Sequence, residues 1–286
     1  MNQPESDNPK IIFIADYFTH QILGGGELNN EELIALLKIH NSVNAINSNN
    51  VTINYLQNNQ ENKFIIANFA ILGHLEKNYI TEHLDYIIYE HDHKYLVTRN
   101  PADYPNFEAP QEQIINYNFY KNAKAVFCQS SFHKDIVYKN LKLDNIVSVG
   151  GNLWPEETLQ ILEKYSLKKK QNVCSIMDSP IPHKNTAKAI AYCKHKKMPY
   201  ELIKSADYHT FLDKLSNNDK LVFFPETPET LSRIVVECRM MGMHTITNKT
   251  IGALGEEWFD LKGSNLIAVM KEKRKTITKM VLDCFK

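Results

Sequence analysis

Short apolar runs recur along this chain at intervals that leave room for one helix between each pair. The first, KIIFIADYF (10–18), is continuously apolar rather than alternating, the pattern of a strand buried on both faces. It runs into THQILGGGELNNEELIALLKIH, where Gly24, Gly25 and Gly26 precede Leu28, Leu33, Ile34, Leu36 and Leu37 in largely helical spacing. Strand, glycine-rich turn and helix form the opening unit of an α/β fold. Further apolar runs lie at KFIIANFAIL (63–72), LDYIIYEHD (84–92), AKAVFCQSSF (123–132) and NIVSVGG (145–151), and the alternation predicts a parallel sheet with right-handed crossovers. The rhythm breaks at GGNLWPEETLQILEKYSLKKKQN (150–172), which reads as a polar helix followed by a lysine run. It restarts with strands at NVCSIMD (172–178), YELIKS (200–205), KLVFFPE (220–226) and HTITNK (244–249). Helices are expected over 185–197, 207–218 and 231–241, with a helical turn over 255–261 and a closing helix at the C-terminal end. The pattern predicts two Rossmann-like domains with parallel sheets facing a cleft, over residues 1–152 and 153–286, the terminal helix being a candidate to pack back on the first.

Composition narrows the function without naming it. Across 286 residues, Lys+Arg and Asp+Glu balance at 33 each, so nothing global points to a nucleic-acid partner. Arginine occurs only at 99, 233, 239 and 274, which weakens a phosphate-backbone reader further. The basic runs LKKK (167–170), KHKK (194–197) and KEKRK (271–275) read as solvated faces, with peripheral contact to anionic lipid as the most a membrane could receive. Cys128, Cys174, Cys193, Cys238 and Cys284 show no C-x-x-C spacing, and Cys174 and Cys238 fall on apolar faces as small buried hydrophobes, so a reducing, cytoplasmic setting is expected. The polar leader MNQPESDNPK lacks an apolar signal core, and no run approaches the ~18 apolar residues of a spanning helix.

The chemistry concentrates in PETPETLSRIVVECRMMGMHTI (225–246). Placing a helix at 231–241 puts Leu231, Ile234, Val235, Cys238 and Met241 on one face, with Thr230 as N-cap and Gly242 as the residue that stops it. The opposite face then carries Ser232, Arg233, Glu237 and Arg239. Glu229 and Glu237, eight positions apart, would span ~12 Å along a helix. That is the reach from a sugar ring across a diphosphate to a ribose. The helix start between them offers free N–H groups and the positive end of the dipole. Glu229 would hold sugar hydroxyls, Glu237 a ribose diol, and the Leu231 and Ser232 amides a phosphate. The spacing alone fits equally well two surface acids paired with Arg233 or nearby lysines. A second cluster, Glu90, His91, Asp92 and His93, ends a strand where a parallel sheet presents its residues to the cleft. His-x-His could chelate a metal, but spacing places no third ligand, and a hydrogen-bonded loop end explains the cluster too. Gly24–Gly26 lacks G-x-G-x-x-G spacing, so a plain tight turn competes with ligand contact there.

Pro225, Glu229, Leu231, Ser232, Glu237 and Gly242 follow in register a pattern P-S-x-x-E-x-F-G, four residues, E-A, and a later Gly. In this the chain resembles the retaining glycosyltransferases of the GT-B group, family four (glycosyl transferases group 1), as a small and divergent relative. NKTIGALGEEWF (248–259) and GGGE (24–27) are similar to the glycine-bearing loops that the family places next and near the donor phosphates. The resemblance implies a GT-B-like fold and a nucleotide-diphosphate-sugar substrate with no cofactor or metal. It further implies hexosyl transfer with retention to an unknown glycan, lipid or protein. His91, Glu229 and Lys184 would then carry the chemistry. Gly25, Gly26, Thr230, Leu231, Ser232 and Glu237 would bind the donor, and Asp92 and His93 would lie on the acceptor side. Two departures stand out. In SIMDSPIPHKNT only Lys184 matches the family's Arg and Lys for the diphosphate, with Asn185 where a Gly follows the Lys, and Ser232 replaces a glycine. Weaker charge neutralisation is therefore expected, which keeps open a catalytically weak sugar-nucleotide-binding module. A GT-B protein that is not a transferase, such as a nucleotide-sugar epimerase, and an unrelated Rossmann-like protein also remain.

Overall fold

The computed structural model describes residues 10–204 and 207–286. The polar leader up to residue 9 and position 205 of the predicted 200–205 strand lie outside the described residues. The opening strand, glycine turn and helix fold as β1 (Ile11–Ala15) leading to α1 (Gly25–Leu37), with Gly24 as N-cap and Gly25 and Gly26 inside the first turn of the helix. After it come β2 (Val43–Asn47), α2 (Ile53–Gln57), β3 (Lys63–Ile66), α3 (His74–His83), β4 (Tyr86–Tyr89), α4 (Tyr117–Lys121), β5 (Val126–Cys128), α5 (Ser131–Leu141) and β6 (Ile146–Ser148). The second block holds α6 (Glu156–Ser166), β7 (Gln171–Met177), α7 (Thr186–His195), β8 (Tyr200–Ile203), α8 (Tyr208–Ser216), β9 (Asn218–Phe223), α9 (Arg233–Met240), β10 (His244–Thr247) and α10 (Gly263–Asp283). One sheet runs β2-β1-β3-β4-β5-β6 and the other β10-β9-β7-β8, with every pair parallel.

The continuous apolar run of β1 has the expected cause. Ile12 and Ile14 pack with Phe64, Ile66 and Ile88 on one face of the sheet. Ile11, Phe13 and Ala15 pack with Leu33, Leu37 and Ile65 on the other. Edge strand β2 escaped the sequence reading because VNAIN is only partly buried and carries too little apolar content to stand out. The 63–72 run is shorter as a strand than predicted. It ends at Ile66, and the chain turns so that Phe69 and Leu72 enter the core from a loop. The helical turn predicted over 255–261 is displaced to a 3-10 segment at Gly252–Gly255.

Helix α10 spans the two sheets: Leu266, Ile267 and Met270 pack in the core of the second, Ile277 and Val281 in that of the first. Its basic run is only partly a solvated face: Lys275 is exposed, while its neighbours reach the rest of the fold. Arg274 pairs with Glu32 and donates to Trp154 O, Lys273 Nζ donates to Val149 O at 3.0 Å, and Lys271 pairs with Glu156 at 3.1 Å. Among the described residues, no helix is long and apolar enough to cross a membrane.

Each sheet has a point where the chain reverses its lateral direction: β2 and β3 flank β1, and β8 and β9 flank β7. Loops leaving the carboxyl ends of strands diverge at such points and open a crevice. The loops after β7 and β9 carry Lys184 and Glu229, and the loop after β1 leads to Gly24–Gly26.

Candidate active site

A cleft of about 950 Å³ opens between these loops, and Gly25, Gly26, His91, Asp92, His93, Lys184, Glu229, Thr230, Leu231, Ser232 and Glu237 all line it. The sequence therefore named residues from both sheets that the fold brings to one wall-to-wall site.

The helix start differs from the predicted one. α9 begins at Arg233, and Ser232 occupies the N-cap position with φ 75° and ψ 83°, in the left-handed region. Thr230 is not the cap. The stretch before the helix is held extended by the 250–253 loop, with Glu229 N on Thr250 O at 2.8 Å, Gly252 N on Glu229 O at 2.8 Å and Ala253 N on Leu231 O at 3.0 Å. Thr230 instead ties the two halves of the site together. Its Oγ1 donates to His91 O at 3.1 Å, and its carbonyl accepts from Ser130 Oγ at 2.5 Å. Gly242 ends the helix with φ 80°, as the pattern predicted.

The polar face of the helix is buried. Ser232, Glu237 and Arg239 are 5%, 2% and 7% exposed. Glu237 Oε1 accepts from Trp154 Nε1 at 2.9 Å and from Tyr208 OH at 2.6 Å, and lies 3.5 Å from Arg233 Nε. Tyr208 is correspondingly reluctant to ionise, through burial first and the Glu237 charge second. Lys184 Nζ meets Glu229 Oε1 at 2.6 Å across the β7–β9 switch point, so this pair forms one charge-coupled unit. Trp154, Tyr208 and Arg233 were not singled out as site residues. The available signal was Arg233 standing between the two acids and one helical turn before Glu237.

On the opposite wall the residues after β4 form a dense ionic network. Lys94 Nζ reaches Glu90 Oε1 at 2.8 Å and Asp92 Oδ1 at 2.7 Å, and Arg99 pairs with Asp92 as well. Burial pushes the Asp92 carboxyl up, but Lys94 and Arg99 outweigh burial and hold it below the usual carboxylate range. Burial lifts Glu90 to about 7 against the opposing pull of Lys94. His91 Nε2 lies 2.6 Å from Asn30 Oδ1, and burial, reinforced by Lys94, lowers its pKa to about 3, so the ring is neutral at physiological pH. His93 is 3% exposed, with Nδ1 3.1 Å from Tyr95 OH, and burial depresses it too.

No protein-family model matches the chain, and no curated protein matches it. Solved structures do resemble it. HepE from Anabaena, crystallised in complex with UDP and glucose, superposes with a TM-score of 0.59 at 13% identity over 97% of this chain and 99% of that one. Sucrose-phosphate synthase from Thermosynechococcus elongatus gives 0.58 at 9% identity over 97% and 99%. A glycosyltransferase from Rickettsia africae gives 0.52 at 15% identity over 97% and 93%. At these identities the likeness defines a fold: the chain has the α/β, two-sheet architecture of GT-B glycosyltransferases.

Proposed function

We propose that this chain is a glycosyltransferase that moves a sugar from a nucleoside-diphosphate sugar to an acceptor, with retention at the anomeric carbon and without a metal. The observation that carries the reading is the Lys184–Glu229 pair beside the start of α9, at the switch point of the second sheet and facing His91 across the cleft. HepE, the protein with a TM-score of 0.59, was crystallised with UDP-glucose, which supports a donor of this class. Residues 153–286 would hold the donor and residues 1–152 the acceptor. Glu229 would accept from sugar hydroxyls while Lys184 and the first amides of α9 meet the diphosphate. As the bond from the anomeric carbon to the phosphate oxygen breaks, the electron pair leaves with the diphosphate. Stabilising that charge is the dominant electrostatic demand of the step. The acceptor oxygen bonds to the same carbon and its proton passes to a phosphate oxygen of the leaving group. A neutral His91, with Asp92 and His93 behind it, would orient the hydroxyls without serving as a strong base.

A sugar-nucleotide-binding module with little turnover is the second reading. It is favoured by Glu237, one of whose two carboxylate oxygens, Oε1, is already taken up by Trp154 and Tyr208. Thermal shift against UDP-, GDP-, ADP- and dTDP-glucose, followed by assay of nucleoside diphosphate release with and without an acceptor panel, separates the readings. We expect one donor to raise the melting temperature and release to require an acceptor. Binding without release favours the module, and conversion of the sugar without an acceptor favours an epimerase. No shift with any donor overturns both the transferase and the module.

A further inference from the structure

We propose that Arg233 is the cation that grips the diphosphate, replacing from the first turn of α9 the arginine that the loop after β7 lacks. The inference rests on the reading of the cleft as a nucleoside-diphosphate-sugar site.

The Arg233 side chain is 8% exposed, yet it lines the cleft. Only one of its three guanidinium nitrogens is anchored: Nη1 donates to Leu153 O at 2.7 Å. Nε and Nη2 are buried with no hydrogen-bond partner among the described residues. Glu237 balances the charge as an ion pair but does not fill these donors: its Oε1 stands 3.5 Å from Nε, outside hydrogen-bonding geometry, and already receives Trp154 and Tyr208. The guanidinium carbon lies over Trp154, 4.3 Å from the ring centroid, which together with the Leu153 bond holds the group in place. A buried charged donor without an acceptor is costly, and natural sites of this kind are completed by a ligand. A second orphan donor sits beside it, because Ser232 Oγ is also buried without a partner.

The surroundings select an anion. α9 begins at Arg233 and α1 begins at Gly25, so both helices bring N-terminal N–H groups to the same cleft. Gly25 keeps the approach open: a Cβ there would come within 3.2 Å of Arg233 Cδ. A planar fork with two unfilled N–H directions matches two oxygens of a phosphate better than the hydroxyls of a sugar. Lys184, already bound to Glu229, then serves the sugar end of the site as much as the phosphate.

The test is a phosphate ladder read by calorimetry at one fixed salt concentration. UDP, GDP, ADP and dTDP are titrated into the wild-type chain. The best binder is then compared with its monophosphate and its nucleoside in wild type, R233M and R233Q. Arg233→Met keeps the apolar stem over Trp154, and Arg233→Gln keeps a donor for Leu153 O should the first variant fail to fold. Losing charged hydrogen bonds is expected to weaken the diphosphate by about tenfold to a hundredfold. The monophosphate should weaken less, and the nucleoside should stay within about twofold. A purely structural arginine would move all three together, and that result overturns the proposal. Diphosphate affinity unchanged in both variants, with the wild type binding, overturns the proposal while leaving the functional reading intact. If none of the four diphosphates binds the wild type, the reading of the site fails and this inference fails with it.

Discussion

At the scale of single residues, the site carries an internal conflict at Ser232. Its backbone sits at φ 75°, where a side chain is strained by roughly 1 kcal/mol or more. Its hydroxyl is buried without a partner, which costs about as much again. Glycine, the residue found here in the family that the sequence resembles, removes both penalties, and at a left-handed position its usual entropic cost is offset. Ser232→Gly should therefore raise the stability of the ligand-free protein by about 1 kcal/mol, read as a higher melting temperature. A lower melting temperature would show that the hydroxyl or the backbone is satisfied in solution in a way that this geometry does not contain.

At the scale of elements, the placement of Glu229 depends on the loop at 250–253 that pins the extended segment before α9. Gly252 is the tightest point of that contact. A Cβ there would lie 2.2 Å from Thr230 O and 2.5 Å from Ser130 Oγ, so the loop, the segment before α9 and the turn before α5 cannot all keep their places. Gly252→Ala should cost about 1–3 kcal/mol, the range of an overpacked core, and should weaken donor binding in step, because the displaced carbonyl belongs to the residue after Glu229. A melting temperature within about 1 °C of wild type would refute this account of the loop. This contact also marks how far the sequence could be read. The two parallel sheets were legible because β1 and β4 are continuous apolar runs, β9 ends in one, and helix-length spacers separate the strands. That Gly25, His91, Lys184 and Glu229 would share one cleft followed from their positions at strand ends. The polar face of α9 was not legible. The apolar stripe of Val235, Cys238 and Met241 is genuine, but α9 is covered on its other side too, so Glu237 was read as facing a ribose, or as a surface acid paired with Arg233, when Trp154 and Tyr208 already donate to it. Periodicity reports one buried face and says nothing of a second, polar one that is satisfied by distant residues.

At the scale of the whole molecule, the wall after β4 makes stability depend on pH. His91, His93 and His133 are held neutral by burial, with pKa values lowered to about 3 for His91 and about 4 for His133 and well below normal for His93. His133 shows why. Its Nδ1 accepts the Gln129 N–H at 3.2 Å while Nε2 lies 2.9 Å from the Asp92 carbonyl, so a second proton has no place to bind without breaking the hydrogen bond from Gln129. The unfolded chain takes up these protons below about pH 6.5 and the folded chain does not, so stability present at neutral pH is lost as pH falls toward 4. Glu90, raised to about 7, opposes this trend: it is protonated in the fold and ionised in the unfolded chain between about 4.5 and 7, and its contribution is lost as pH rises. Asp92, held low by Lys94 and Arg99, adds to the acid loss only below about pH 4. Within this wall, three protons gained against one released leave a net uptake of about two on unfolding near pH 5, which Glu27 and Glu32, also raised by burial, reduce. The free energy of unfolding should then fall by up to about 3 kcal/mol per pH unit, from about 1.4 kcal/mol for each proton. Urea unfolding at closely spaced pH values between 7 and 5 measures that slope, and His133→Gln should reduce it by about one proton. A flat profile across this range would mean that the network after β4 is open to water, and that His91 is free to act as a base in the cleft.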